Sequence, residues 1–272
     1  MSKDPIISVY IVNHNYGRYL EQAIDSVLKQ TFKDFEIIFI DNGSEDDSRD
    51  RLEKYLKNNK IKIIFQENIG LNAANNIALR FARGKYIMRL DADDYLDKNA
   101  LEIMCLTLEK KKNLGLVFPD YFTVDENNNI INLIRRHDFT EVTLLDQPAH
   151  GACTMIRRDY LQIMGGYDES YHCQDGWDLW VKLIKNYGVA NINLPLFFYR
   201  QHGDNLTKNH STILDTRAKI LKKNAQISRS IKNCLAVIPI RGKKIDQTSL
   251  AMNKLGDKLV VDWTIESALK AK

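Results

Sequence analysis

The stretch MRLDADDYLD, from Met88 to Asp97, sets Asp91, Asp93 and Asp94 directly behind an apolar run. Carboxylates spaced this way have three chemical uses. They can charge and cap the first turn of a helix, and KNALEIMCLTLEKK just downstream has helical periodicity. They can open a calcium loop, since Asp91, Asp93 and Glu102 fall at loop positions 1, 3 and 12; Tyr95 at position 5 and Leu96 at position 6, where a glycine is required, exclude it. Or they can hold a magnesium or manganese ion whose remaining positions go to the phosphate oxygens of a substrate. Residue chemistry alone leaves capping and metal binding open.

The elements that would carry this cluster follow from two alternating periods. IISVYIVN, FEIIFIDN, IKIIFQ and KYIMRLD are nearly unbroken β-rich runs; GRYLEQAIDSVLKQT, EDDSRDRLEKYLKNN and GLNAANNIALRFARG read as helices between them. This βαβαβαβ order predicts a parallel sheet covered on both faces, which binds ligands beyond the carboxyl ends of its strands. Three strand ends there are polar: Asn13 to Asn15, Asp41 with Asn42, and Asp91 to Asp94. They are expected to converge. Past Leu116, LVFPDYFTV, DENNN and IINLI predict an antiparallel excursion. GACTMIRRDYLQIMGGYDES then predicts a strand, a short helix and a Gly-Gly turn. A helix over DGWDLWVKLIKNYG, strand over ANINLP and LFFYRQHG, and a helix from about Thr212 to Ser230 complete this part.

Composition narrows the class. Of 272 residues, 44% are hydrophobic and 27% charged, which excludes disorder and fibrous repeats. No apolar run reaches the ~20 residues of a membrane-spanning helix, and MSKDPIISVY lacks the regions of a signal peptide, so a cytoplasmic protein is expected. Cys105, Cys153, Cys173 and Cys234 form no C-x-x-C pair and read as buried thiols. The net charge of +4 is small enough to be a solvated surface, and no nucleic-acid partner is implied.

Four ordered blocks over Ile6 to Thr207 resemble family 2 glycosyltransferases. NIGLNAANNIALRFARGKYIMRLDADD is similar to the family's N-x-G-x-x-x-A-R-N-x-G segment and the D-x-D motif behind it. ISVYIVNHNYGRYLEQAIDSVLKQTFKDFEIIFIDNGSEDDS resembles its opening strand, helix and D-D-G-S turn, GGYDES its G-G-F-D-E block, and YRQHGDNLT its Y-R-x-H element. The resemblance implies a GT-A-like α/β fold, a mostly parallel central sheet flanked by helices with a small antiparallel excursion. It also implies an inverting transfer of a hexosyl or N-acetylhexosaminyl group from a nucleoside-diphosphate sugar, with UDP the leading carrier. The acceptor would be a glycan or lipid-linked hydroxyl in surface polysaccharide or glycan synthesis. Peripheral association with the inner membrane face is a further expectation.

Carried over by position, Asp41 matches the aspartate that contacts the base. Asp91 and Asp93 match the D-x-D pair, near the ribose and on a Mn2+ or Mg2+ ion respectively, with His202 able to complete the metal shell. Val12, Asn13, Asn15, Asn68, Gly70, Asn75 and Ala92 complete the implied donor-binding set, although Asn75 stands where the family has arginine. A general base is needed opposite the departing diphosphate. The family supplies it from E-D-x-x-L-W, whereas CQDGWDLW places Asp175 one residue farther from Trp180, or in the slot of the glutamate. Asp175 is favoured because it precedes Gly176; ordinary N-capping is its bland alternative, and Asp178 is the competitor. His14, Trp177 and Trp180 read as structural, with Trp177 able to stack on a sugar.

Residues 232–272 differ in character. CLAVIPIRG and NKLGDKLVVDWTIESALKAK resemble the start of an acylneuraminate-type cytidylyltransferase, without the glycines of its nucleotide loop. The expected division is a catalytic domain over 1–231 and a partial or packed extension over 232–272, either a piece of a longer bifunctional chain or a remnant that has lost its activity. A module that binds nucleotide sugar without catalysis is the alternative function, and nucleotidyl transfer a third.

Overall fold

Apolar strands and amphipathic helices alternate in a computed structural model that describes residues 4–136, 151–171, 175–184, 186–203, 210–227, 254–255 and 258–259. In chain order these are β1 (Ile7–Asn13), α1 (Gly17–Leu28), β2 (Phe35–Asn42) and α2 (Ser48–Leu52), with a 3₁₀ turn over Glu53–Tyr55. β3 (Ile61–Gln66), α3 (Leu71–Phe81), β4 (Tyr86–Asp91), β5 (Tyr95–Leu96), α4 (Ala100–Lys110) and β6 (Leu114–Val124) follow. Then come β7 (Ile130–Ile134), β8 (Met155–Arg157), α5 (Arg158–Ile163), α6 (Asp175–Leu183), β9 (Gly188–Arg200) and α7 (His210–Ile227). The chain divides into two compact units, Met1–Ile220 and Leu221–Lys272. In the second, Lys254–Leu255 pairs antiparallel with Lys258–Leu259; the rest of the cytidylyltransferase-like stretch lies outside the described residues.

Among the described residues of the first unit one sheet runs β3-β2-β1-β4-β8-β6-β9-β5, with β7 on β6. β1 to β4 are mutually parallel where they pair, and β6 is parallel to β9; β8, inserted between β4 and β6, is antiparallel to both. The expected mostly parallel GT-A-like sheet is therefore present, and its antiparallel excursion is the β6–β7 hairpin. Strand side chains alternate between two cores. Ile7, Val9, Ile11, Ile37 and Phe39 pack with Leu20, Ile24 and Val27 of α1 and Leu101 and Met104 of α4. Tyr10, Ile38, Ile40 and Ile87 pack on the other side with Ala74 and Ala78 of α3, Leu161 of α5 and Trp177 and Trp180 of α6. Each such aliphatic side chain contributes ~1.5–3 kcal/mol on burial.

Two expectations change. EDDSRDRLEKYLKNN forms only a five-residue helix and a 3₁₀ turn. Its leading acids are engaged differently: Asp46 accepts the main-chain N–H groups of Gly17 and Ser48, so the segment starts as a turn docked on α1. The acidic run at 91–94 is not a helix cap either. β5 intervenes before α4, and the residue preceding α4 is Asn99, whose N–H is accepted by Asp97. Cys105 and Cys153 are buried and free, as expected, and burial pushes the Cys105 thiol up to about 11. Cys173 and Cys234 lie outside the described residues. No described helix is long and apolar enough to cross a membrane.

α4 is tied to the first residues of β4 through Glu109, which accepts hydrogen bonds from Lys112, Lys85 and Tyr86. Those bonds hold its carboxyl down to about 2. Because the folded value lies below the unfolded one, the contribution is complete above the ordinary range of ~4.3 and is lost as pH falls toward about 2. Glu109→Gln should therefore lower the melting midpoint at pH 7, with the difference from the parent shrinking between pH 4 and pH 3; a gap independent of pH would contradict this.

Candidate functional site

Strand register assembles the site. Parallel pairing sets Asn13 beside Asp41 and Val12 beside Asp91, so the polar ends of β1, β2 and β4 lie side by side at one edge of the sheet, as the sequence requires. Asn13 is fully buried, and its amide donates to Asp41 Oδ1 (3.3 Å), Ser44 Oγ (2.9 Å) and Ser48 Oγ (2.9 Å). Asp41 is equally buried, and its other oxygen accepts Arg49 Nε at 3.1 Å. Asn15 adopts φ 62, a left-handed conformation that asparagine tolerates, and joins the same turn through Ser44 and Glu45. Ser44, Ser48 and Arg49 were not singled out by the sequence; the D-D-G-S resemblance covered the turn, but serine hydroxyls that orient an asparagine carry no separate pattern.

The next segment closes over β2. Gly43 has φ 75, and a Cβ there would lie 2.7 Å from Asn68 N, so only glycine permits this approach. Asn42 and Asn68 share a 3.1 Å hydrogen bond, Asn68 Oδ1 accepts the N–H of Gly70, and His14, which is exposed, meets Asn68 at 3.3 Å. Gly70, at φ 86, starts α3. Val12 is half-buried and Ala92 buried. Asn75 is 0% exposed, and neither atom of its amide has a partner among the described residues. A buried amide left this way costs ~1–3 kcal/mol unless a ligand or water engages it.

Behind β4, one carboxylate oxygen from each of Asp91, Asp93 and Asp94 lies within 4.8 Å of the others. Arg89 faces Asp91 at 2.8 Å, and His202 Nε2 lies 2.8 Å from Asp93 Oδ2. His202 is buried, with its ring against Tyr16 and Tyr19. Asp94 accepts the main-chain N–H of Arg200 on Oδ1, while its Oδ2 is buried with no partner among the described residues. Burial, reinforced by Asp93 and Asp91, pushes the Asp94 carboxyl well above the usual range; the Arg200 N–H and charge oppose this. An orphaned carboxylate oxygen beside two further carboxylates fits a hard divalent cation with oxygen ligands. Arg89, Asp94 and Arg200 were given no role by sequence reasoning. Asp94 stood in the acidic run and Arg200 in YRQHGDNLT, but the contact between the end of β9 and the loop behind β4 that joins these two is non-local.

The segment leading into α6 is hung from α3. Asn72 donates to the carbonyls of Asp168 and Tyr171, and Asn76 exchanges hydrogen bonds with the main chain of Tyr167, so GGYDES is fastened just ahead of α6. Asp175 is the first residue of α6, and its side chain lies outside the described residues. Asp178 is 2% exposed and paired with Lys182 at 2.6 Å. Trp177 and Trp180 are buried in the core shared with α3, in keeping with a structural role.

The family model "Glycosyl transferase family 2" matches residues 8–164. Chondroitin synthase of Escherichia coli is 28% identical over 212 residues, covering 75% of this chain and 30% of that protein; the chain thus spans under a third of the relative's length. Among solved structures, S. aureus TarS 1-349 in complex with UDP-GlcNAc superposes with TM-score 0.62 at 19% identity, over 75% of this chain and 60% of that one. Mannosyltransferase PcManGT of Pyrobaculum calidifontis in complex with GDP-Man and Mn2+ superposes with TM-score 0.59 at 15% identity, over 86% and 67%. These likenesses show the fold, and the family match, which spans every polar strand end from Asn13 to Asp94, shows the lineage: the chain belongs to glycosyl transferase family 2.

Proposed function

We propose that this chain is an inverting, divalent-metal-dependent glycosyltransferase. It would move a hexosyl or N-acetylhexosaminyl group from a nucleoside-diphosphate sugar, UDP-linked as the leading carrier, to a hydroxyl acceptor in surface polysaccharide or glycan synthesis. The observation that carries this reading is the three-carboxylate cluster, with the unpartnered Asp94 oxygen, beside the buried Asn13–Asp41 pair at the carboxyl edge of a parallel sheet. Relatives named for chondroitin synthesis, and neighbours solved with UDP-GlcNAc or with GDP-Man and Mn2+, support the donor class.

In this reading Asp93, with Asp91 and His202, would hold Mn2+ or Mg2+, which when bound supplies positive charge to a diphosphate. Asp41, Asn13, Asn15 and Asn68 line the nucleotide side with Val12, Gly70 and Ala92, and the free amide of Asn75 is offered to the donor in place of the family's arginine. Asp175 takes the proton of the acceptor hydroxyl as its oxygen bonds to the anomeric carbon and the bond to the β-phosphate oxygen breaks, the electron pair leaving with the nucleoside diphosphate. The domain division at 231/232 and the cytidylyltransferase-like tail are carried as proposals on sequence resemblance. So are a glycan or lipid-linked acceptor and attachment at a membrane face. The binding-only alternative is decided by turnover.

Asp93→Ala should abolish the coupling between Mn2+ and UDP binding in calorimetry while the chain stays folded, because removing one carboxylate relieves repulsion among three. Nucleotide affinity equal in chelator and in manganese for the parent would refute the metal role. Asp175→Asn should retain donor binding while release of nucleoside diphosphate to an acceptor falls ~10²–10⁴-fold. Asp178→Asn, which loses a buried partner of Lys182, should instead lower the melting midpoint with little change in turnover. A turnover loss confined to Asp178→Asn moves the base to that position, and a parent that binds donor without turnover is a binding module.

A further inference from the structure

Arg200 ends β9 and is 1% exposed. Its five side-chain donors all have acceptors. Nε donates to the carbonyl of Asp93 (2.8 Å), one terminal nitrogen to the carbonyls of Asp125 (3.1 Å) and Glu126 (3.3 Å), and the other to Gln22 Oε1 (2.7 Å) and Asn128 Oδ1 (2.9 Å). Its main-chain N–H reaches Asp94 Oδ1 at 2.8 Å, and its guanidinium lies 4.5 Å from the ring centre of Tyr19. The geometry points to Arg200 as a positioning residue for the acidic cluster, holding the Asp93–Asp94 segment in the shape that takes a divalent ion together with the donor's diphosphate. This rests on the donor-site reading above.

The bonds divide into two sets. Those to α1 and the β6–β7 turn have a substitute, because Gln22 Nε2 itself donates to Asn128 Oδ1 at 2.9 Å and would keep the two joined without the guanidinium. The bond to the Asp93 carbonyl is different: it fixes the backbone that carries the Asp93 side chain, while from the same end of β9 the Arg200 main-chain N–H holds the Asp94 carboxyl and His202 meets the Asp93 carboxylate. The guanidinium is thus the rigid link from the acidic loop to α1 and the hairpin. Its charge also opposes the accumulation of negative charge around Asp94. Lysine keeps the charge but not the planar fork, so it cannot span Asp93, Gln22 and Asn128 together.

The test uses the full chain, with calorimetry of Mn2+ in saturating UDP and of UDP in chelator, for the parent, Arg200→Lys and Gln22→Ala. Arg200→Lys should weaken Mn2+ ~10–100-fold, the range for groups that orient ligands from behind, with UDP affinity in chelator unchanged. Gln22→Ala should shift Mn2+ in the same direction by less. A merely structural residue would lower the melting midpoint and both affinities together, which would overturn the assignment. Mn2+ affinity equal to the parent's in folded Arg200→Lys also overturns it, as does parental affinity in Gln22→Ala where the lysine variant does not fold. A parent that binds no Mn2+ with UDP sinks the donor-site reading and this one with it, recognisable because the defect precedes any substitution.

Discussion

Like-charge repulsion within the Asp91, Asp93 and Asp94 cluster is the constraint around which this molecule is arranged. Carboxylates that approach within 4.8 Å, with Asp94 cut off from solvent, cannot all ionise without compensation. Partial compensation comes from two arginines. Arg89 precedes the cluster on β4 and Arg200 arrives from β9, while His202, two residues later, shares a hydrogen bond with Asp93. What is left over, a buried Asp94 oxygen with no partner among the described residues, is the feature that a divalent ion would satisfy.

The sheet makes that arrangement affordable in conformational terms. Parallel register brings Asn13, Asp41 and Asp91 to one edge without any loop having to find them. The same edge receives β9, whose parallel pairing with β6 delivers Arg200 beside Val124 and His202 just past the strand. Pro195, which has no N–H, sits where the β6–β9 register is irregular, and beyond it the aromatic pairs Tyr121–Phe197 and Phe122–Phe198 lock the strand again. Two rigid supports therefore meet at the acidic loop, one from the local βαβ units and one from the end of the domain.

α3 performs a matching task for the loop that leads into α6. Its Asn72 and Asn76 fasten the GGYDES loop that precedes α6, and the same helix carries Asn75, whose amide has no partner among the described residues. The buried Asn75 amide and the loop ahead of α6 are thus both referred to one helix. Asn75, where the resembled motif has arginine, gives that helix a buried neutral amide in place of a cation.

Much of this was legible in the sequence because it is local. Continuous apolar strands, helical periodicity between them and polar residues at each strand end specify a parallel sheet and name its ligand edge, and Asn13, Asp41, Asp91 and Asp93 could be placed there by pattern alone. The length of α2 was misread because Asp46 spends its carboxylate on the N–H groups of Gly17 and Ser48, a partner set that a helical period does not reveal. The capping reading of the acidic run, open on residue chemistry alone, fails because the pairing of Tyr95 and Leu96 with β9 separates the run from α4. Arg200, the burial of Asp94 and the fastening of GGYDES to α3 depend on contacts between residues ~100 positions apart. Sequence determines which groups are present and on which strand or helix they ride; only tertiary packing decides which of them lose water, and the burial of Asp93 and Asp94 beside a half-exposed Asp91 is what sets this cluster apart from a solvated acidic run.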